Sequence, residues 1–101
     1  MGYLVCNTYR IRSQCVEEFT ATISEMAQLG EDLGASYFEV WQDDDEPLRY
    51  VEMMGFESWS HYQRLSQIPW SNRMQDLMKV LDRCIEGGLD AMETWNLKSV
   101  V

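Results

Sequence analysis

Histidine occurs once, proline twice and cysteine three times in the 101 residues of this chain. Each scarcity excludes something. One histidine, His61, cannot build a histidine metal centre. The cysteines (Cys6, Cys15 and Cys84) are odd in number, include no CxxC pair and have no histidine beside them, which fits neither a disulfide framework nor a zinc site. They read as buried structural thiols of a reducing compartment. Basic residues are also few, 8 against 17 acidic, for a net charge of −9. No cluster of Lys or Arg is present to meet a phosphate backbone or an anionic bilayer, so nucleic acid and membrane are excluded as partners. No apolar run approaches a membrane span, and the N-terminus, MGYLVCNTYR, lacks a basic segment followed by an apolar one. Gly2 is followed by Cys at position 6, so the myristoylation pattern fails. The expectation is a cytoplasmic protein. GxSxG, P-loop, GxGxxG and HExxH patterns are missing too, so hydrolase, nucleotide and metal chemistry have no local support, and no cofactor is expected.

What is present is apolar and aromatic. Apolar residues make up 46% of the chain and aromatics 12%, with four tryptophans, more apolar area than one small core needs. A single domain over residues 1–101 is expected, of a size at which oligomerisation often adds buried area.

The chain is organised around RYVEMMGFESWSHY (49–62), a strand that runs directly into a helix. Leu48 to Phe56 carries β-formers, Ser58 offers an N-cap hydroxyl, and Trp59, Tyr62 and Leu65 follow at three-residue steps. Upstream, Tyr3 to Ile11 alternates as a strand, with Tyr3, Val5, Asn7, Tyr9 and Ile11 on one face and Leu4, Cys6, Thr8 and Arg10 on the other. Ser13 is a candidate cap for a helix to about Leu33, with Glu17 and Glu18 near its positive end and Gly34 as its stop. Ser36 to Gln42 reads as a second strand, and the acidic turn Asp43–Pro47 returns the third antiparallel to it. Pro69 ends the second helix, Asn72 is a candidate cap for the next, and Met74, Leu77, Met78, Leu81, Cys84 and Ile85 form its apolar stripe up to Gly87 and Gly88. Ala91 to Val101 reads as the last strand. The order β-α-β-β-(αα)-β is an α+β, ferredoxin-like split βαβ arrangement: a four-stranded antiparallel sheet with helices on one face. The other face, carrying Leu4 and Cys6, is too apolar to stay wet, so a second copy of the chain is its expected cover.

This element order, the first-strand asparagine, the ExxxxESW strand-to-helix segment and the aromatic interior resemble the dimeric α/β-barrel superfamily, and within it the antibiotic biosynthesis monooxygenase-like domains. RYVE followed by ESW is also similar to the soluble C-terminal domain of major-facilitator-type transmembrane secretion effectors. The first resemblance implies a homodimer whose sheets close a barrel, an apolar pocket between sheet and helices, and cofactor-free oxygenation of a phenolic, quinol or anthrone-type substrate. The second implies a non-catalytic ligand-binding or accessory domain. Many monooxygenase-like relatives place a histidine about ten residues after the strand glutamate. Counted from Glu52, Tyr62 holds that place, and His61 stands one residue early, about 100° round the helix. Haem-degrading relatives combine a first-strand Asn with a helix Trp and a later His. Asn7 matches, but Leu65 stands near the Trp position and no His follows His61, so haem degradation is not implied.

Four residues are candidates for chemistry. Asn7, polar in an apolar strand face, is either a substrate amide or a structural one bonded to a nearby helix backbone. Glu52, if buried, is a base with a raised pKa; the plainer reading is an ion pair with Arg10 or Arg49. His61 is a potential general base whose place off the Trp59–Tyr62 stripe points it to solvent. Tyr62 offers a phenol to a substrate oxygen or serves as a core aromatic. Tyr9, Phe38, Trp59, Trp70, Met74 and Trp95 are the candidate apolar lining, with core packing as the alternative for each.

Overall fold

Alternation in the first strand decides the layering. In the computed structural model, which describes residues 2–101, β1 (Tyr3–Arg10) is an inner strand, with Val5, Asn7 and Tyr9 buried on one side. The chain continues through a 3-10 turn (Ser13–Cys15), α1 (Val16–Leu33), β2 (Tyr37–Gln42), β3 (Arg49–Phe56), α2 (Trp59–Ser66), α3 (Asn72–Cys84), a second 3-10 turn (Leu89–Ala91) and β4 (Glu93–Lys98). The sheet order is β2-β3-β1-β4 and every pairing is antiparallel. This is the ferredoxin-like α+β fold expected from the element order.

Register assigns the faces. Asn7 stands opposite Glu52 on β3 and Thr94 on β4, and residues directly opposite share a side. The helix side therefore carries Val5, Asn7 and Tyr9 with Tyr50, Glu52, Met54 and Phe56. Over it α1 and α3 supply Phe19, Ile23, Met26, Leu77, Leu81 and Cys84, and Ile11 and Ile85 close the end through an isolated bridge. A smaller cluster, Val5, Ala35 and Phe56 with Tyr3, Met54, Tyr62 and Leu65, lies under α2. The opposite sheet face has no helix. It carries Leu4 and Cys6 of β1, Val51 and Met53 of β3, Tyr37 and Trp41 of β2, and Trp95 and Leu97 of β4, with Trp41 59% and Trp95 45% exposed. Gly55 is required there: a Cβ would stand 2.1 Å from the ring of Tyr37, which lies across the bare backbone.

Helix ends show where local reading needs correction. Ser58 caps α2 as expected, its Oγ accepting from His61 N–H at 3.1 Å. Ser13 does not cap α1; it opens the 3-10 turn, and α1 starts behind Cys15 with no side-chain cap. At α3 the cap is Ser71, not Asn72, because Ser71 is the extended residue whose Oγ reaches Met74 N–H at 3.1 Å. Helix α3 stops at Cys84 because the next residue, Ile85, is drawn into extended backbone by its bridge to Ile11, with Gly87 and Gly88 following at φ 84° and 77°. The last strand is shorter than Ala91–Val101 because the Leu89–Ala91 turn takes up its start. Ser71→Ala should cost about 1 kcal/mol, read by urea unfolding at fixed protein concentration. A loss below about 0.3 kcal/mol would mean packing alone sets the start of α3. Among the described residues no helix is long and apolar enough to cross a membrane.

Candidate functional site

A polar chain crosses the three strands β4, β1 and β3 on the helix side. Thr94 Oγ1 donates to Asn7 Oδ1 at 2.7 Å, and Asn7 Nδ2 donates to Glu52 Oε1 at 2.9 Å. Tyr9 O–H then donates to Glu52 Oε2 at 2.5 Å. Strand register alone brings these groups together, since Asn7 is the residue opposite both Thr94 and Glu52. Both carboxylate oxygens of Glu52 and both polar atoms of the Asn7 amide have partners, as a low-dielectric interior demands.

Glu52 is the centre of this arrangement. It is only 4% exposed, and none of the ion pairs among the described residues includes it. The expected pair with Arg10 or Arg49 does not form. Strand pleating puts Glu52 on the helix side, while Arg10 meets Glu46 and Glu86, and Arg49 meets Asp43 at 2.9 Å. Burial without a cation pushes the Glu52 carboxyl above its ordinary range, and the hydrogen bonds from Tyr9 and Asn7 oppose that only in part. The Tyr9 phenol is also pushed up, first by burial and then by the Glu52 charge, so it stays a donor.

The network has one wet end. Thr94, Asn96 and Lys98 alternate on the helix side of β4 and all three are exposed, so the helices leave this edge uncovered. They form a shelf beside Asn7, Val5 and Tyr3, the residues opposite them on β1. At its far end the rings of Tyr3 and Tyr62 stack at 5.0 Å. From Asn7 to Tyr3 the shelf runs about 13 Å, four residues of strand.

The other sequence candidates distribute unevenly. Phe38 and Met74 pack half-buried against the main core, and Tyr9 is inside it. Trp59 and Trp70 are 55% and 57% exposed, and Trp95 lies on the helix-free face opposite Cys6. These three tryptophans do not meet Asn7 and Glu52. For Trp59 the reason is angular: three-residue steps lag a helix by about 60° each, so Trp59, Tyr62 and Leu65 drift apart around α2. The half-buried side of α2 comprises His61, Tyr62 and Leu65. His61 is therefore not on the solvent side. Its ring lies edge-on to Phe56 at 6.3 Å, and its Nδ1 is buried without a hydrogen-bond partner. Sequence reasoning misses Thr94; only the β1–β4 register identifies it.

Two cavities flank these elements. One of about 310 Å³ is polar and adjoins Tyr9, with Thr8, Arg10, Arg49, Glu86 and Glu93. The other, about 270 Å³, lies among Tyr3, Leu4, Tyr37, Phe56, Leu97 and Lys98. Neither is lined by Asn7 or Glu52. For a metal, the nearest donor set among the described residues is Cys15, Glu18 and Cys84, whose ligand atoms lie within 4.8 Å of one another. Glu18 is already ion-paired to Arg83 at 2.7 Å, and burial pushes the Cys84 thiol up to about 12, so a metal there would have to displace both the arginine and the thiol proton.

No protein-family profile matches the chain, and no curated protein sequence does. Solved structures do match. A candidate antibiotic biosynthesis monooxygenase from Nitrosomonas europaea is 10% identical, with TM-score 0.79 over 98% of this chain and 90% of that one. SnoaB, a cofactor-independent oxygenase from Streptomyces nogalater solved in a mutant form, is 12% identical, with TM-score 0.79 over 99% and 94% of the two chains. A dimeric ferredoxin-like protein of unknown function from Jannaschia sp. CCS1 is 13% identical, with TM-score 0.75 over 98% and 100%. At such identities the likeness is one of fold: this chain has the ferredoxin-like fold shared by antibiotic biosynthesis monooxygenase-like structures.

Proposed function

We propose that the protein is a homodimer that holds a small planar aromatic molecule, phenolic, quinol or anthrone-type, on the β4 shelf and oxygenates it without a cofactor. The observation that carries this reading is Glu52: a carboxylate sealed on the helix side of the sheet, given two donors and no cation. An ion-paired structural glutamate would have its pKa depressed and be a weak base. A desolvated one keeps its proton affinity nearer neutrality, which is what proton abstraction requires.

In the reaction, the substrate hydroxyl takes the place of Thr94 at Asn7 Oδ1, the acceptor that Glu52 fixes by holding Nδ2. The ring lies along the shelf towards Tyr62, whose phenol and stacked partner Tyr3 bound its far side. Asn7 Oδ1 takes the substrate proton as Asn7 Nδ2 passes one of its own to Glu52 Oε1, and the resulting electron-rich anion reacts with oxygen. An anthrone methylene then becomes a carbonyl, with one oxygen atom in the product and the other leaving as water. The protein supplies orientation and a buried base, and reduces no external cofactor.

The fold of the dimeric Jannaschia protein and of SnoaB, whose printed description is a cofactor-independent oxygenase, supports the reading. Oxygen uptake tests it, measured with a panel of anthrones and hydroquinones. Turnover that falls at least about tenfold in Asn7→Ala is the expected result. Saturable quenching of tryptophan fluorescence with no oxygen uptake would replace the oxygenase by a non-catalytic binder.

The second copy covers the helix-free face, where Trp41, Trp95, Tyr37 and Leu97 are otherwise left in water. Trp95→Glu places a charge in the middle of that contact. It should convert a dimer into a monomer in light scattering at micromolar concentration. A monomeric parent protein would refute the dimer.

A further inference from the structure

Two of the three cysteines, 69 positions apart in the chain, come together at the end of the helical layer. Cys15 precedes α1 and Cys84 ends α3. Backbone bonds tie the segments: Arg12 N–H donates to the Cys84 carbonyl at 2.9 Å, and Cys15 N–H to the Arg12 carbonyl at 2.9 Å. The two sulfurs and a Glu18 carboxylate oxygen lie within 4.8 Å of one another. Cys6 stands apart, on the helix-free sheet face.

The surroundings of the two thiols differ. Cys15 is half-buried, while Cys84 is 0% exposed and its S–H donates to Glu18 Oε1 at 3.5 Å. The same carboxylate oxygen is held by Arg83 at 2.7 Å. Cys15 is thus the less buried of the two, and Cys84 has a carboxylate oxygen in contact with its S–H.

We propose that Cys15 and Cys84 are a peroxide-reactive pair that closes into an intramolecular disulfide. Cys15, as thiolate, attacks hydrogen peroxide. Its sulfur takes one oxygen, the O–O bond breaks, and with the proton released from Cys15 the leaving hydroxide forms water. Cys84 sulfur then attacks the sulfenic sulfur of Cys15, its S–H proton passing to Glu18 as the S–S bond forms. The sulfenic oxygen leaves as hydroxide and takes up that proton as a second water. Two thiols and one peroxide give one disulfide and two waters. Burial pushes the Cys84 thiol up, so Cys84 needs the Glu18 contact to give up its proton as it attacks, and Cys15, the less buried of the two, takes the first step.

The test is intact-mass and peptide analysis of the full chain after millimolar hydrogen peroxide, followed by alkylation in denaturant. The expected product is lighter by two hydrogens, contains a Cys15–Cys84 linked peptide, leaves Cys6 open to alkylation and reverts with dithiothreitol. In Cys15→Ser no such product forms. In Glu18→Gln, a change at an exposed position, closure should slow several-fold while trapping of the Cys15 sulfenic acid by dimedone increases. Cys84→Ser alters a fully buried site, so Cys15→Ser and Glu18→Gln carry the test if that variant does not fold. Stable oxygen adducts on Cys15 with Cys84 still open to alkylation, or a disulfide through Cys6, would overturn the proposal. None of these readouts depends on what the shelf binds.

Discussion

Replacing Glu52 with glutamine is expected to lower oxygen uptake by about 10²- to 10⁴-fold, the usual loss when a general base is removed. The substitution keeps the shape of the side chain. Its carbonyl oxygen still accepts from Asn7 Nδ2, and the Tyr9 hydroxyl has only to rotate from donating to accepting. The variant should therefore fold, and its loss of activity is not a loss of structure. Stability against pH gives a second readout, for which the sign follows from burial. The folded pKa of Glu52 is raised above its ordinary 4.5, so the folded state favours the neutral carboxyl. Its contribution to stability is fully present below about pH 4.5 and is lost as pH rises through the folded value. Glutamine has no such loss. Urea midpoints of parent and variant should diverge in the variant's favour between pH 4.5 and the folded pKa, where the oxygenase activity of the parent rises. Identical pH dependence in the two proteins would show that Glu52 ionises alike in both states, and would remove it as the base.

The same residue marks what the sequence can and cannot disclose. Alternation in Tyr3–Ile11 puts Asn7 on the inner face, and the run Tyr50, Glu52, Met54, Phe56 puts Glu52 on the inner face of its own strand. Both facts are local, with period two, and both hold in the structure. That Asn7 stands opposite Glu52 is a matter of register, fixed by contacts across 45 residues of chain that no local pattern records. Thr94 illustrates the point more sharply, being an ordinary threonine in sequence that becomes the exposed end of the network through the β1–β4 pairing. On α2 the failure is one of phase. The aromatic residues suggest steps of three, whereas burial follows the pair His61 and Leu65, four apart. Tryptophans read as lining because they are large and apolar, yet Trp59 and Trp70 are more than half exposed and Trp95 is 45% exposed on the helix-free face. Size indicates that surface will be buried somewhere, and leaves open whether a helix, a ligand or a second copy buries it. The pairing of Cys15 with Cys84 is illegible for the same reason as Thr94, since sequence distance says nothing of a contact between the two ends of the helical layer.

Phe19→Ala should be the most destabilising single change in the chain, costing about 3–5 kcal/mol. Phe19 is 1% exposed and is the largest of the fully buried side chains. Its ring meets Tyr9 edge-on at 5.8 Å and Tyr50 at 4.7 Å, so alanine removes two aromatic pairs as well as the buried area. The cavity has little chance to collapse, because its walls belong to the two central strands, which are pinned by pairing on both sides. For a chain of this length the cost corresponds to a fall in Tm of about 15–25 °C, measured at fixed protein concentration because dimerisation would add to stability. Leu33→Ala, at a residue 49% exposed, is the matched control and should cost less than about 1 kcal/mol. The consequence reaches the site. Tyr9 is held between Phe19 and the Glu52 carboxylate, so a void at Phe19 frees the phenol that steadies the base. Phe19→Leu keeps most of the volume but not the ring contacts. It should recover more than half of the stability lost in Phe19→Ala, yet retain a reduced oxygen uptake at saturating substrate. If uptake instead recovers in full with the volume, the aromatic packing behind Tyr9 serves stability alone, and the positioning of Glu52 rests on its hydrogen bonds to Asn7 and Tyr9.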